Sequence, residues 1–196
     1  MRILEKSKEE FVNKLKTMNT PLIKINYIED ALKSTIDLAA RSYLGDILTD
    51  LYIDMKMFDK AARALTNKAG VAMTFKEKSE LYSRAGELMA KAQRLEDSES
   101  IYVKAMREAT EPQQAIIKKA MKNSWLKVAD ELWTSGRKST AIIFYERLIK
   151  MHLDGNEKPV IKERMLELYK NMRRYSEMKM LQGIWLFSSY IINFAF

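Results

Sequence analysis

A pattern of aromatic, leucine and small residues recurs four times along this chain, and it constrains the fold more than any other feature of the sequence. The clearest copy places Tyr82, Gly86 and Met89 at helical spacing, breaks at Gln93 and resumes as a second helical face. Residues three or four positions apart lie on the same face of an α-helix. Each copy therefore predicts two helices joined by a short turn.

Equivalent positions of successive copies are separated by similar lengths of chain. The separation is 37 residues from Tyr52 to Met89, 43 from Met89 to Leu132, and again 37 from Leu132 to Tyr169. One helical hairpin cannot bury both of its apolar faces, so copies of this kind stack on one another. The alternative is a non-repeating helical bundle whose helices share a period. In both cases the large apolar residues of the pattern, Tyr175 of the fourth copy included, are expected in the core.

The composition favours a nearly all-helical protein. Six glycines and three prolines are few, good helix formers dominate, and hydrophobic and charged residues make up 47% and 31% of the chain. The chain has no cysteine, which excludes disulfides and thiolate chemistry and fits a reducing compartment. Its first residues contain no apolar run typical of a secretory signal, so we expect a cytoplasmic protein.

The pattern resembles the tetratricopeptide repeat (TPR), most closely over "GELMAKAQRLEDSESIYVKAM" from Gly86 to Met106 and next over Trp125 to Leu148. The resemblance implies an all-α fold, a right-handed α-solenoid of stacked antiparallel helical hairpins. It divides the chain into N-terminal helices at 1–41 that could be a degenerate repeat, TPR-like repeats within 42–181 (42–70, 75–109, 113–153 and 158–181), and an apolar capping or association segment at 182–196.

In this family the first helices of the repeats line a concave groove that binds a protein or peptide partner. Helical spacing and the resemblance together place the following residues on that face: Tyr43, Asp46, Asp50, Ile53, Asp54, Glu80, Glu87, Asn123, Leu126, Asp130, Trp133, Glu163 and Glu167. Four of them occupy the same place in successive copies and form what we call the acidic column: Asp50, Glu87, Asp130 and Glu167. We therefore expect a non-enzymatic scaffold or adaptor for protein–protein interaction.

The acidic column has two interpretations. It could be a trough that attracts a Lys/Arg-rich segment by complementary charge. Alternatively, its members pair with cations of neighbouring repeats, for which Arg84, Lys127 and Arg164 are near enough in sequence. Trp133 could likewise be an aromatic anchor for the partner or be buried between helices.

Two other function classes are alternatives: a scaffold of an RNA-processing complex and a tail-anchored membrane adaptor. The run Tyr145–Glu146–Arg147 resembles the half-a-TPR repeats of scaffolds in RNA-processing complexes, although only one copy carries it clearly. The formal charge of +8 permits nucleic-acid contact, but the basic residues are scattered singly, as on a solvated surface, so nucleic acid is not the expected partner.

The C-terminal stretch "MLQGIWLFSSYIINFAF" carries no charge and follows several basic residues. It could pack within its own domain, join two copies of the chain, or enter a membrane as the tail anchor of an adaptor. Homodimerisation would use Trp185, Phe187, Tyr190 and Phe194. Membrane insertion is possible but not favoured, because Gln, Gly, Ser and Asn interrupt the run.

The sequence contains no arrangement of residues that we associate with catalysis. The single histidine, His152, has no second metal-ligating residue at helical spacing, and no phosphate-binding glycine loop or nucleophile motif is present. We therefore expect no enzymatic activity, no cofactor and no metal site.

Overall fold

A computed structural model describes residues 3–151, 153 and 155–183 of the chain. All regular secondary structure in these residues is helical, which confirms the predicted all-α class. Residues 175–183 are helical, and the helices before them are α1 (Lys8–Lys16), α2 (Pro21–Lys33), α3 (Leu38–Asp54), α4 (Phe58–Val71), α5 (Phe75–Lys91), α6 (Leu95–Arg107), α7 (Glu111–Thr134), α8 (Lys138–Leu148) and α9 (Glu157–Asn171). The residues named above for self-association, and His152, lie outside the described part of the chain.

The chain divides into two compact units, residues 1–121 and 122–196. In the first unit, each helix from α2 to α5 packs against the next one in the chain, and α1 packs against α3. Its core contains Phe11, Ile28, Leu44, Leu65 and Met89, together with other buried residues of α1 to α6. In the second unit α8 packs against α9, and among its described residues the largest fully buried side chain is Trp125.

Local capping explains where several helices begin. The Ser7 hydroxyl accepts a hydrogen bond from the backbone N–H of Glu10, whose carboxylate accepts in return from the backbone N–H of Ser7, which is a complete capping box. At α5 the Thr74 hydroxyl accepts from the backbone N–H of Glu77 at 3.2 Å. Proline is the first residue of α2, where its missing N–H costs no helical hydrogen bond.

The same backbone turn follows α3, α5, α7 and α9. After α3, the N–H of Met57 donates to the carbonyl of Tyr52 at 2.7 Å, and the N–H of Lys56 donates to the carbonyl of Ile53 at 2.9 Å. This pair of bonds is the Schellman motif, in which one residue adopts the left-handed conformation. That residue is Lys56 (φ 56°) after α3, and its counterparts are Gln93 (φ 62°), Gly136 (φ 79°) and Arg173 (φ 57°).

The four left-handed residues are 37, 43 and 37 positions apart, the same intervals that separate the sequence copies. The repetition predicted from side chains is therefore present in the backbone as well. Most of the large apolar residues of the pattern are buried, including Tyr52, Met89, Leu132 and Tyr169. The prediction was wrong for Tyr175, which is the first helical residue after the last turn and is 53% exposed.

In the hairpin of α5 and α6, the two helices approach closely at Gly86. A Cβ atom built on Gly86 would lie 2.8 Å from two ring carbons of Tyr102, so only a residue without a side chain fits beneath that ring. The Ser98 hydroxyl donates to the Gly86 carbonyl at 2.7 Å, and Ser98 is fully buried. The small residues of the pattern thus allow the two helices to approach closely.

Candidate functional site

None of the thirteen predicted groove residues is buried. Exposed positions are Asp46, Asp50, Asp54, Glu80, Asn123, Glu163 and Glu167, and half-buried positions are Tyr43, Ile53, Glu87, Leu126, Asp130 and Trp133. Each helix presents its members on one side because they are spaced three, four or seven residues apart. The face identified from the sequence is therefore a surface in each unit.

In the first unit the acidic column is held only by surface ion pairs. Asp50 on α3 lies 3.6 Å from the Arg84 guanidinium on α5, and the two side chains are 66% and 54% exposed. Glu87 pairs at 2.7 Å with Lys91 of its own helix. Ion pairs between such exposed groups contribute roughly 0–1 kcal/mol. The Asp50 and Glu87 carboxylates thus remain accessible to a cation from a partner.

In the second unit the column residue Asp130 belongs to an internal polar cluster. Its carboxylate accepts hydrogen bonds from the Tyr145 hydroxyl on α8 and from the Arg164 guanidinium on α9. Burial, together with the hydrogen bond to Asp130, raises the pKa of the Tyr145 phenol above its usual value. The pairing predicted as the alternative to a trough is thus present at Asp130 with Arg164, as it is at Asp50 with Arg84.

Trp133 is covered by the same cluster. Its ring makes an edge-on contact with Tyr145, with ring centroids 6.3 Å apart. The Arg164 guanidinium lies 5.5 Å from the Trp133 ring centroid, within the range of a cation–π interaction. Trp133 therefore contributes to packing between helices, and it leaves only part of its surface for a partner.

Two equivalent clusters join the second helix of one hairpin to the first helix of the next. The Tyr52 hydroxyl on α3 donates to Glu29 on α2, and the Tyr169 hydroxyl on α9 donates to Glu146 on α8. Each tyrosine is 23 residues after its acceptor. A cation completes each cluster by approaching both the carboxylate and the ring: Lys60 in the first unit and Arg174 in the second.

A cavity of about 330 Å³ opens beside the predicted groove residues of α3. Tyr43, Asp50 and Asp54 form part of its lining. The other lining residues were not predicted as site residues from the sequence, and they are Val12, Leu15, Lys16, Lys24, Ile47 and Leu51. The lining is thus mainly apolar, with two aspartates on the α3 side and two lysines from α1 and α2.

The residues missed on α3 carried a usable signal, whereas those on α1 and α2 did not. Ile47 and Leu51 are four residues apart and follow Tyr43 and precede Asp54 along the same helix, so helical spacing alone could have identified them. Lys16 and Lys24 lie outside the repeated pattern. Their place at the cavity depends on how α1 and α2 pack.

The described residues contain no group of three or more His, Asp or Glu side chains placed to hold a metal ion. Within the same residues, no helix combines the length and the apolar character needed to cross a lipid bilayer. The face on α3 is suited to binding a ligand or a partner, because it offers an apolar recess, carboxylates and ammonium groups.

The chain was also compared with known proteins. No protein-family model matches it, and no curated protein sequence matches it significantly.

Proposed function

We propose that this protein is a non-enzymatic scaffold that binds a segment of a partner protein, and that its hairpins form a right-handed TPR-like α-solenoid. The fourfold Schellman turn and the two equivalent tyrosine–carboxylate clusters support the repeat architecture, because the same contacts recur at the intervals of the sequence pattern. Repeat proteins of this kind present extended binding surfaces.

One observation carries the proposal, and it is the cavity on α3. A recess of about 330 Å³ with a mainly apolar lining is at the small end of the range for ligand pockets, and it can take one or two large side chains. Aromatic and aliphatic anchors in such recesses usually contribute most of the binding free energy of an interface. The expected occupant is therefore a large apolar side chain of a partner.

The charges around the cavity specify what flanks that anchor. Asp54 is exposed and forms no ion pair with any described residue, while the Asp50 pair with Arg84 is long and exposed. A Lys or Arg side chain of the partner would find both carboxylates on the α3 side. Lys16 and Lys24 are at the opposite wall, so an acidic residue is favoured there.

A random peptide library displayed on phage and selected on the full chain tests this proposal. We expect enriched peptides to contain a large apolar residue with a Lys or Arg nearby. Their affinity should fall at least about fivefold for Asp50→Asn/Asp54→Asn and for Ile47→Ala, because these changes remove the charge complement or part of the apolar wall. Fluorescence anisotropy of labelled peptides measures the affinities.

Glu111→Gln/Glu131→Gln is the matched control, since it removes two exposed carboxylates of α7 that do not line the cavity. Its affinity for the peptides should equal that of the unchanged protein. The proposal is rejected if selection enriches no peptide, or if the enriched peptides bind the cavity variants as tightly as the unchanged protein.

A further inference from the structure

A second cleft in the first unit lies between α4 and α6, away from the cavity on α3. Its volume is about 290 Å³, and buried Met89 and Ile101 form its apolar floor. Its polar lining consists of Arg63, Thr66 and Asn67 from α4 and Arg94, Asp97, Ser100 and Lys104 from the start and body of α6. The second helices of two successive hairpins therefore contribute opposite walls.

The sequence places these groups on one face of each helix. On α4, Thr66 and Asn67 follow Arg63 by three and four residues, and on α6, Ser100 and Lys104 are four residues apart. The Thr66 hydroxyl is not available as a donor to a ligand, because it donates to the Ala62 carbonyl at 2.9 Å. The Asn67 amide and the Ser100 hydroxyl have no hydrogen-bond partner among the described residues and remain available as donors.

The charge in the cleft is unbalanced. Among the described residues that line it, Asp97 is the one carboxylate. The Nε atom of Arg94 binds it at 2.5 Å, which leaves the terminal nitrogens of that guanidinium for another acceptor. Arg63 and Lys104 are exposed and form no ion pair with any residue that the structure describes. Three cations against one carboxylate leave an excess of two positive charges.

We propose that this cleft binds a phosphate monoester, presented by a phosphorylated serine or threonine of a partner protein. At neutral pH such a group carries a charge of about −1.5 to −2 and several strong acceptor oxygens, so it matches the charge excess and the free donors. A carboxylate supplies half that charge. A polynucleotide needs cations distributed along a track, whereas these three converge on one compact cleft.

Inorganic phosphate tests the cleft by itself. In nuclear magnetic resonance spectra of the full chain labelled with ¹⁵N, added phosphate should shift the amide signals of α4 and of the first half of α6. The affinity should rise between about pH 6 and pH 8, because inorganic phosphate loses its second proton near pH 7, about one unit above a phosphate monoester. Sulfate, whose charge is constant over this range, should show no such change.

Arg63→Ala/Lys104→Ala should weaken phosphate binding at least about tenfold. Lys118→Ala/Lys119→Ala removes the same charge from exposed positions of α7 and should leave the affinity unchanged. Equal phosphate affinity in the two variants, or shifts spread over other helices, would overturn the proposal.

The source of the phosphate group is tested with a peptide library carrying a central phosphoserine and with its unphosphorylated counterpart. We expect binding of the phosphorylated library alone, lost in Arg63→Ala/Lys104→Ala. A single-stranded RNA oligonucleotide that binds more tightly than any phosphopeptide, with affinity falling steeply with salt, would overturn the assignment to a phosphoprotein. This arm depends on the proposed protein-binding function, while the phosphate titration does not, so the two proposals fail separately.

Discussion

The hairpin of α5 and α6 and the hairpin of α7 and α8 have equivalent residues 43 positions apart, yet they use them differently. In the first, Gly86 leaves room for the Tyr102 ring, and Glu87 forms an ion pair with Lys91 of its own helix. In the second, Ala129 replaces the glycine and Asp130 replaces the glutamate. There Asp130 accepts hydrogen bonds from the tyrosine equivalent to Tyr102 and from an arginine of the next helix.

The difference shows that a position in the repeat does not by itself decide the role of a carboxylate. Asp130 is bound by Arg164, 34 residues further on, whereas the ion-pair partner of Glu87 is Lys91 of its own helix. The acid becomes part of the framework where a cation and a phenol surround it. Glu87 pairs along the surface of its own helix, and there it is available to a partner.

Substitution of Gly86, where α5 and α6 approach most closely, should change the stability of the protein more than any other variant considered below. Gly86→Ala puts a methyl group where the buried Tyr102 ring now lies, so the free energy of unfolding should fall by about 2–3 kcal/mol. Gly45→Ala in α3 is the control, because no atom lies within 4 Å of its new Cβ and alanine favours the helix by about 0.5–1 kcal/mol. Urea denaturation followed by circular dichroism measures both. A neutral Gly86→Ala would mean that the close approach is not needed.

The two carboxylates can be compared directly. Asp130→Ala leaves the Tyr145 hydroxyl and Arg164 without their acceptor and should cost about 2 kcal/mol of stability. Glu87→Ala removes only a surface pair and should change stability by less than about 0.5 kcal/mol. If chemical denaturation gave the same loss of unfolding free energy for both variants, Asp130 would not differ from Glu87 in its contribution to stability.

The left-handed residues in the turns of the same two hairpins, Gln93 and Gly136, can be exchanged by mutation. Gln93 adopts a left-handed conformation that costs a residue with a side chain about 1–2 kcal/mol, whereas its counterpart is Gly136. Gln93→Gly should therefore stabilise the protein by about 1 kcal/mol, and Gly136→Gln should destabilise it by a similar amount. Thermal unfolding of the two single variants and of the double exchange, which should be nearly neutral, checks both signs.

Raising the pH should change the free energy of unfolding less than any of these substitutions. The pKa of Tyr145 is raised in the folded state, chiefly by burial and then by the hydrogen bond to Asp130. The unfolded chain therefore loses this proton first, and the stability that it contributes is present below about pH 10 and declines above it. At pH 10 the loss is about 0.4 kcal/mol for this one tyrosine.

Tyr145→Phe should reduce the decline in unfolding free energy between pH 8 and pH 10 by that amount. Urea denaturation at the two pH values measures it. An identical decline in the variant and the unchanged protein would show that the Tyr145 proton is not linked to folding.

What the sequence predicted well is local. Helical periodicity and capping residues such as Thr74 act within a few positions, so the helices and the exposed faces could be identified from spacing alone. The turns were predicted, but the left-handed conformation within them was not, because three of the four left-handed residues are Lys56, Gln93 and Arg173 rather than glycine.

The partners of the acidic column could not be chosen from the sequence. Tyr145 and Arg164 are 15 and 34 residues from Asp130, and whether they reach it depends on how three helices pack. The cavity on α3 presents the same difficulty, since four of its nine lining residues come from α1 and α2, which lie outside the clear copies. The cleft between α4 and α6 was not predicted, because the family resemblance places the binding face on the first helices, whereas second helices line this cleft.

The two tyrosine–carboxylate clusters also bear on how such a chain can grow or shrink in evolution. Glu29 with Tyr52 and Glu146 with Tyr169 each connect a second helix to the first helix of the following hairpin. A duplication that copies one whole hairpin preserves this connection only if the copied second helix supplies a carboxylate and the following first helix supplies a phenol. At the two intervening junctions the equivalent residues are Thr66 with Met89 and Ala109 with Leu132, so the carboxylate and the phenol are replaced together. Gain or loss of a repeat should therefore leave these two residues in matching pairs.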